Sequence, residues 1–327
     1  MTETQNQVFK DYSKNGKDRK WRERKLKNIE LANRLERLGY RSFERVYQCA
    51  EVLKFIEQQD GTKKLYQSYF CKNKLCPICN WRRSMKYSYQ AELVVNEAMK
   101  RYPKGRFLFL TLTIKNVSGK ELNKTLSKMT EAFRRLMMYK KIDKNILGYL
   151  RATEVTYSTE YENYHPHLHV LLFVKSNYFK GGEYIAQEEW TTFWAKAMKL
   201  DYTPVVDIRT VKPKQKNKQT KNSLKKAILE TAKYPVKPFD MEEDKDGNIV
   251  FYDEETKLRI TDDMAQGLHR KRQIGFGKLF KKIKAELSLD DVEEGNLVQT
   301  GAEESAESTG REIVAFWNWD RKNYFVK

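Results

Sequence analysis

Residues 147–175 read LGYLRATEVTYSTEYENYHPHLHVLLFVK, two runs rich in alternating apolar and polar residues on either side of a short polar stretch. Side chains alternate between the faces of a strand, so this stretch predicts a β-hairpin. In its second half Leu168, Val170, Leu172 and Val174 point to a core, while His167 and His169 share the opposite face. Three of the four histidines in the chain fall within HPHLH, at His165, His167 and His169.

Outward from the hairpin the pattern stays regular. RFLFLTLTIK (106–115) predicts a strand with Leu108, Leu110, Leu112 and Ile114 on one face and Thr111 and Thr113 on the other. Leu122, Leu126, Met129, Phe133, Leu136 and Met137 recur at three- and four-residue spacing, an amphipathic helix. Trp190, Phe193, Trp194, Ala197 and Met198 make a second such stripe, and VVDIRTVK (205–212) a fourth strand. The order β-α-β-β-α-β predicts an α+β, ferredoxin-like antiparallel sheet with helices on one face and the other face free to carry a site.

The flanks divide by composition. Residues 1–48 predict a basic helical arm, 49–100 a four-cysteine module with a following helix, and 101–239 the β-α-β-β-α-β domain. Residues 240–264 predict an exposed acidic insert, 265–288 a basic helical segment, 289–310 a flexible acidic linker, and 311–327 an aromatic segment that docks on the body.

With 327 residues and 40% apolar content, a wholly disordered or fibrous chain is excluded. The apolar runs are too short to span a bilayer and the first residues lack a signal-peptide pattern, so a cytoplasmic protein with no membrane partner is expected. The net charge is +19, and residues 240–263 and 289–309 each carry −7, which leaves +33 on the rest. Charge that dense predicts a polyanionic partner, most simply nucleic acid. Three basic stretches supply it: the chain up to Arg45, 206–237 and 267–284. Lys212, Lys214, Lys233, Lys237, Arg270, Lys271 and Arg272 within the last two, together with Arg82 and Arg83, are the candidate DNA contacts.

Two imidazoles side by side on an open sheet face make a metal claw. A hairpin symmetric about 161–162 would set Glu154 across from His169 and supply a carboxylate as third ligand, with His165 outside the set. The dinuclear zinc hydrolase pattern HxHxDH fails, because Val170, Leu171 and Leu172 stand where it needs its aspartate and next histidine. In ETAKYPVK (230–237), Glu230 and Tyr234 are four apart and share one helical face. The phenol can act as a nucleophile if metal and nearby cations such as Lys233 or Lys237 polarise its target. Cys49, Cys71, Cys76 and Cys79 are the only cysteines, spaced C-x21-C-x4-C-x2-C with a CPIC knuckle, and argue for structural tetrahedral zinc rather than disulfides.

HPHLHVLL (165–172) after TEVT (153–156), with FLTLT (109–113) upstream, ETAKYPVK downstream and CPICNWRR (76–83), resembles the HUH-endonuclease replication initiators of rolling-circle plasmids from Gram-positive bacteria. The resemblance runs from about Arg22 to the C-terminal aromatic segment. It implies the HUH fold, a divalent metal on His167 and His169, and Tyr234 as the residue that nicks the origin strand and becomes linked to its 5′ phosphate. It also implies that Glu230 serves termination. The expected protein is a metal-dependent, origin-specific DNA endonuclease and strand transferase, using Mn2+ or Mg2+ for catalysis and Zn2+ for structure. Its expected partners are the plasmid double-strand origin, single-stranded DNA and the host helicase and polymerase, with homo-oligomerisation left open. The alternatives are an HUH transposase or mobilisation relaxase and, from another class, a non-catalytic zinc-containing DNA-binding regulator.

Overall fold

The described residues of the computed structural model are 7–211, 221–232, 241–243, 249–301 and 310–327. In chain order they form α1 (Trp21–Arg37), α2 (Phe43–Tyr47), β1 (Val52–Glu57), β2 (Lys63–Ser68), α3 (Pro77–Arg101), β3 (Arg106–Thr113), α4 (Gly119–Met137) and α5 (Lys140–Asn145). Next come β4 (Ile146–Ser158), β5 (Asn163–Val174), α6 (Gln187–Met198), β6 (Val206–Val211), α7 (Lys221–Ala232), β7 (Met241–Glu243) and β8 (Ile249–Phe251). The chain closes with α8 (Glu254–Gly267), β9 (Ile274–Lys278), α9 (Leu279–Glu286), β10 (Arg311–Asn318) and β11 (Asn323–Val326). They fall into two units, one of Met1–Tyr89, Asp253–Asp262 and Asp290–Lys327, the other of Gln90–Tyr252 and Asp263–Leu289.

The second unit is α+β. Its sheet has the order β6-β3-β5-β4-β9, antiparallel at every pairing. Alternation sorts the strand residues: Leu108, Leu110, Leu112, Leu168, Val170, Leu172 and Val174 are buried in one core with Met129, Phe133 and Leu136 of α4 and Trp190, Trp194 and Ala197 of α6. Helix α4 starts at Ser118, whose N–H is taken by the Glu121 carboxylate one turn on. Trp194 donates its indole N–H to the Thr113 carbonyl at 2.8 Å, which ties α6 to the end of β3.

The basic segment 265–288, expected to be helical, contains a strand. IGFGK (274–278) pairs with Gly148–Ala152 as a fifth strand, and only Leu279–Glu286 after it is helical. Gly277 lies under the Tyr149 ring, where a Cβ would come within 1.9 Å of the ring, so a glycine suits the strand better than any helix former. The expected acidic insert also differs. Glu254–Gly267 is helical, with Ile260, Thr261 and Met264 fully buried, because a four-residue spacing of apolar side chains gives this acidic stretch an inner face.

The first unit carries a four-stranded antiparallel sheet, β11-β10-β1-β2. The aromatic residues 311–326 form β10 and β11, and β10 pairs with β1 from Val52↔Phe316 to Glu57↔Arg311. Helix α1 is no free arm: Trp21, Lys25, Asn28, Leu31, Ala32 and Leu35 are buried. Within the stretch expected to be a flexible linker, residues 290–301 are packed, with Val292, Glu293 and Leu297 buried. Among the described residues no helix is long and apolar enough to cross a membrane.

Candidate functional site

The face of the second unit's sheet away from the α4/α6 core carries the histidines. His167 pairs with Thr113 on β3 and Glu154 on β4, and His169 with Thr111 and Ala152. The expected hairpin symmetry is corrected here. Glu154 lies opposite His167, not His169, because four residues, 159–162, make the turn and Glu162 adopts a left-handed φ of 47°. The turn centre moves by one residue and the pairing by two, an even shift that leaves each side chain on its expected face.

The carboxylate nevertheless reaches His169. Glu154 Oε2 is 2.7 Å from His169 Nε2, and the other ring nitrogen, Nδ1, is hydrogen-bonded to Thr111 Oγ1 at 3.2 Å. Phe109 stacks on the His169 ring at 5.7 Å between centroids. The His167 and His169 rings lie 5.8 Å apart and nearly parallel, with Thr156 Oγ1 3.5 Å from His167 Nε2. His165 follows in the same row, 4.4 Å from His167, and its burial holds its pKa below the usual histidine value. All three imidazoles and Glu154 keep part of their surface open to solvent. Phe109 and Thr111 of FLTLT and Thr156 of TEVT lie within the sequence motifs but are not among the site residues named from them, although strand parity had placed Thr111 on this face. Imidazole nitrogens and a carboxylate oxygen are donor types that a divalent cation takes, but among the described residues only the cysteines bring three or more metal-ligating atoms within 4.8 Å of one another.

Helix α7 packs on β4, β5 and β6 with Ala227, Ile228 and Thr231 buried, none of them part of the α4/α6 core. It carries Glu230, half-buried, towards its C-terminal end. Tyr234, Lys233, Lys237, Lys212 and Lys214 lie outside the described residues. Of the remaining basic candidates Arg270 and Arg272 are exposed, while Lys271 hydrogen-bonds the Ser127 hydroxyl.

In the first unit the four cysteines converge. Cys49 precedes β1 and Cys71 follows β2, so the hairpin closes the 22-residue separation, with Ala50 N–H bonded to the Tyr69 carbonyl. Cys76 and Cys79 come from the start of α3. Their sulfurs lie within 4.8 Å of one another, with separations of 3.6 Å for Cys49–Cys79 and Cys71–Cys79 and 3.7 Å for Cys49–Cys76. All four are free thiols and buried, and the cluster could hold a metal ion. Lys25 and Asn28 of α1 back it: Lys25 Nζ donates to the Cys49 carbonyl at 2.8 Å, and Asn28 Oδ1 is 2.9 Å from Cys76 Sγ.

Arg82 and Arg83, expected to touch DNA, are buried instead. Arg82 donates to the carbonyls of Leu297 and Val298, and Arg83 to those of Lys72, Asn73 and Glu293. These two guanidiniums pin down the acidic segment 290–301, so their charge serves folding.

The family comparison agrees with the sequence motifs. Residues 62–325 match the model of a replication protein family. A "Protein rep" of Streptococcus pneumoniae is 52% identical over 99% of this chain and 97% of its own length. Another from Lentilactobacillus hilgardii is 45% identical over 98% of both chains. A "Replication protein" of Staphylococcus aureus is 50% identical over 74% of this chain and all of its own. No solved structure matches. The chain belongs to the replication protein family and is a plasmid replication initiator of the Gram-positive type.

Proposed function

We propose that the protein initiates rolling-circle replication by nicking one strand of the plasmid origin and holding its 5′ end as a phosphotyrosine. The observation that carries this reading is the row His165, His167 and His169 with Glu154 beside it, half-open on one face of an antiparallel sheet against which α7 packs. Imidazoles and a carboxylate side by side on an open sheet face support an HUH-type reading. His167, His169 and Glu154 would hold Mn2+ or Mg2+, which supplies Lewis-acid polarisation of the scissile phosphate. Thr111 and Phe109 fix the plane of the His169 ring. The Tyr234 oxygen attacks phosphorus, the phosphotyrosine bond forms, and the 3′ oxygen leaves, takes up a proton and becomes the primer hydroxyl. Glu230, four residues before Tyr234, takes the proton from the water that cleaves the regenerated origin, and the 3′ hydroxyl so freed attacks the phosphotyrosine, which closes the circle and returns the phenol without a second tyrosine.

The cysteine cluster fits zinc. Sulfurs each about 2.3 Å from a tetrahedral ion lie about 3.8 Å apart, close to the separations found and far longer than a disulfide bond. Duplex origin DNA, single strands and host helicase and polymerase are the partners this cycle needs, in the cytoplasm. The test is incubation of the protein with supercoiled and single-stranded origin DNA and Mn2+. Nicked product and a protein–oligonucleotide adduct on Tyr234 are expected, and binding without any nicking would leave a DNA-binding regulator instead.

A further inference from the structure

The sheet β11-β10-β1-β2 buries one face: Leu53, Phe55, Leu65, Ala315, Trp317 and Tyr324 are all in the core of the first unit. Alternation therefore turns the residues between them outwards. Phe316 and Phe325 are direct cross-strand partners there, and Phe316 is 37% exposed. Lys54 and Lys64 project from the same face of β1 and β2, since their partners Val314 and Ile56 alternate with the buried positions. Lys327 Nζ lies 5.7 Å from the Phe316 ring centre and the Arg321 guanidinium 4.9 Å from that of Phe325. Glu312, a carboxylate on this face, is engaged by the Tyr66 hydroxyl.

We propose that this outward face binds single-stranded DNA, with Phe316 and Phe325 stacking on bases and Lys54, Lys64, Arg321 and Lys327 meeting phosphates. Two half-open rings among four cations match a polyanion whose bases are free to stack. An apolar protein partner would offer those cations no counter-charge. In a duplex the base faces are already covered by their neighbours, so the rings would have nothing to stack on. The inference rests on the reading that the protein works on an opened origin strand, and it adds a holding surface in a different unit from the histidine row.

The experiment uses the full chain and a fluorescein-labelled oligo-dT of about fifteen nucleotides, followed by anisotropy. Phe316→Ala should weaken binding about tenfold. Lys54→Gln should lower the slope of log affinity against log salt by about one. Because Phe316→Ala could perturb the sheet, the unaltered protein is also photocrosslinked to an iodo-deoxyuridine oligonucleotide, with adducts expected in the peptide 311–327. Unchanged affinity in Phe316→Ala, or crosslinks confined to other peptides, overturns the proposal. Origin nicking is scored on the same preparations. Normal nicking with either of those results removes the holding surface alone, whereas unaltered protein that fails to nick removes the nicking reading on which it rests.

Discussion

Glu154 Oε2 sits 2.7 Å from His169 Nε2 although the residue directly opposite Glu154 is His167. The carboxylate therefore leans diagonally across the hairpin, from the position opposite His167 to the ring of His169. Diagonal neighbours on a sheet are within reach of a side chain as long as glutamate. Glu154→Gln keeps the size and the hydrogen bond but removes a negative charge from the site. It should raise the Mn2+ concentration for half-maximal nicking about tenfold with little effect on the rate at saturation. An unchanged metal requirement would make Glu154 an orienting partner of His169 only.

His167→Ala or His169→Ala should reduce nicking by about a thousandfold, the scale of losing metal stabilisation of a phosphoryl transition state. Binding to duplex origin should persist, because these side chains face the sheet's own open site and not base edges. A gel assay separating bound from nicked DNA reads both quantities, and full nicking in either variant would discard the site.

The cysteine cluster should hold about one zinc per chain. Cys76→Ser should lose it and unfold at lower urea, since Cys76 is also the thiol beside Asn28 of α1. Elemental analysis of freshly reduced protein decides this, and absence of zinc in the unaltered chain would contradict it.

The helices and strands are legible because their signals are local. Asn163–Val170 alternates and Leu122–Met137 repeats every three or four residues, and both patterns survive whatever the rest of the chain does. The hairpin register is not legible to the residue, since STEYEN (158–163) contains no glycine or proline to mark its turn. The Cys49–Cys71 gap looks unlike a zinc knuckle until a hairpin closes it. The arginines are least legible of all. Arg83 reaches a carbonyl 210 positions away, and no pattern around residue 83 foretells that contact.

That burial gives Arg83 a different signature from a DNA contact. Arg83→Ala leaves several carbonyls of a packed segment without their donor, so it should destabilise the fold by about 3 kcal/mol in urea unfolding. The salt slope of DNA binding should not change. Arg270→Ala and Arg272→Ala, on exposed positions, should do the reverse: near-normal stability, and a slope reduced by about one for each phosphate left unneutralised. Arg83→Ala protein of full stability would return this residue to the candidate DNA surface.

In the proposed cycle, starting and finishing make opposite demands on two groups, the Glu230 carboxylate of α7 and the Tyr234 phenol four residues on. A phenol oxygen forms a phosphoester stable enough to outlast a round of replication, whereas a carboxylate is suited to taking a proton from water and leaves nothing attached. Tyr234→Phe keeps the ring and removes only the attacking oxygen, so it should abolish the covalent adduct and nearly all initiation. Glu230→Gln keeps size and helix propensity, so it should still nick and attach, yet accumulate plasmid products longer than one unit because the closing cleavage lacks its base. A test plasmid carrying two origin copies, scored for single-length circles, separates the two losses. Normal termination by Glu230→Gln would mean that Glu230 is only a surface acid on its helix, and that another carboxylate or a second protomer's tyrosine closes the cycle.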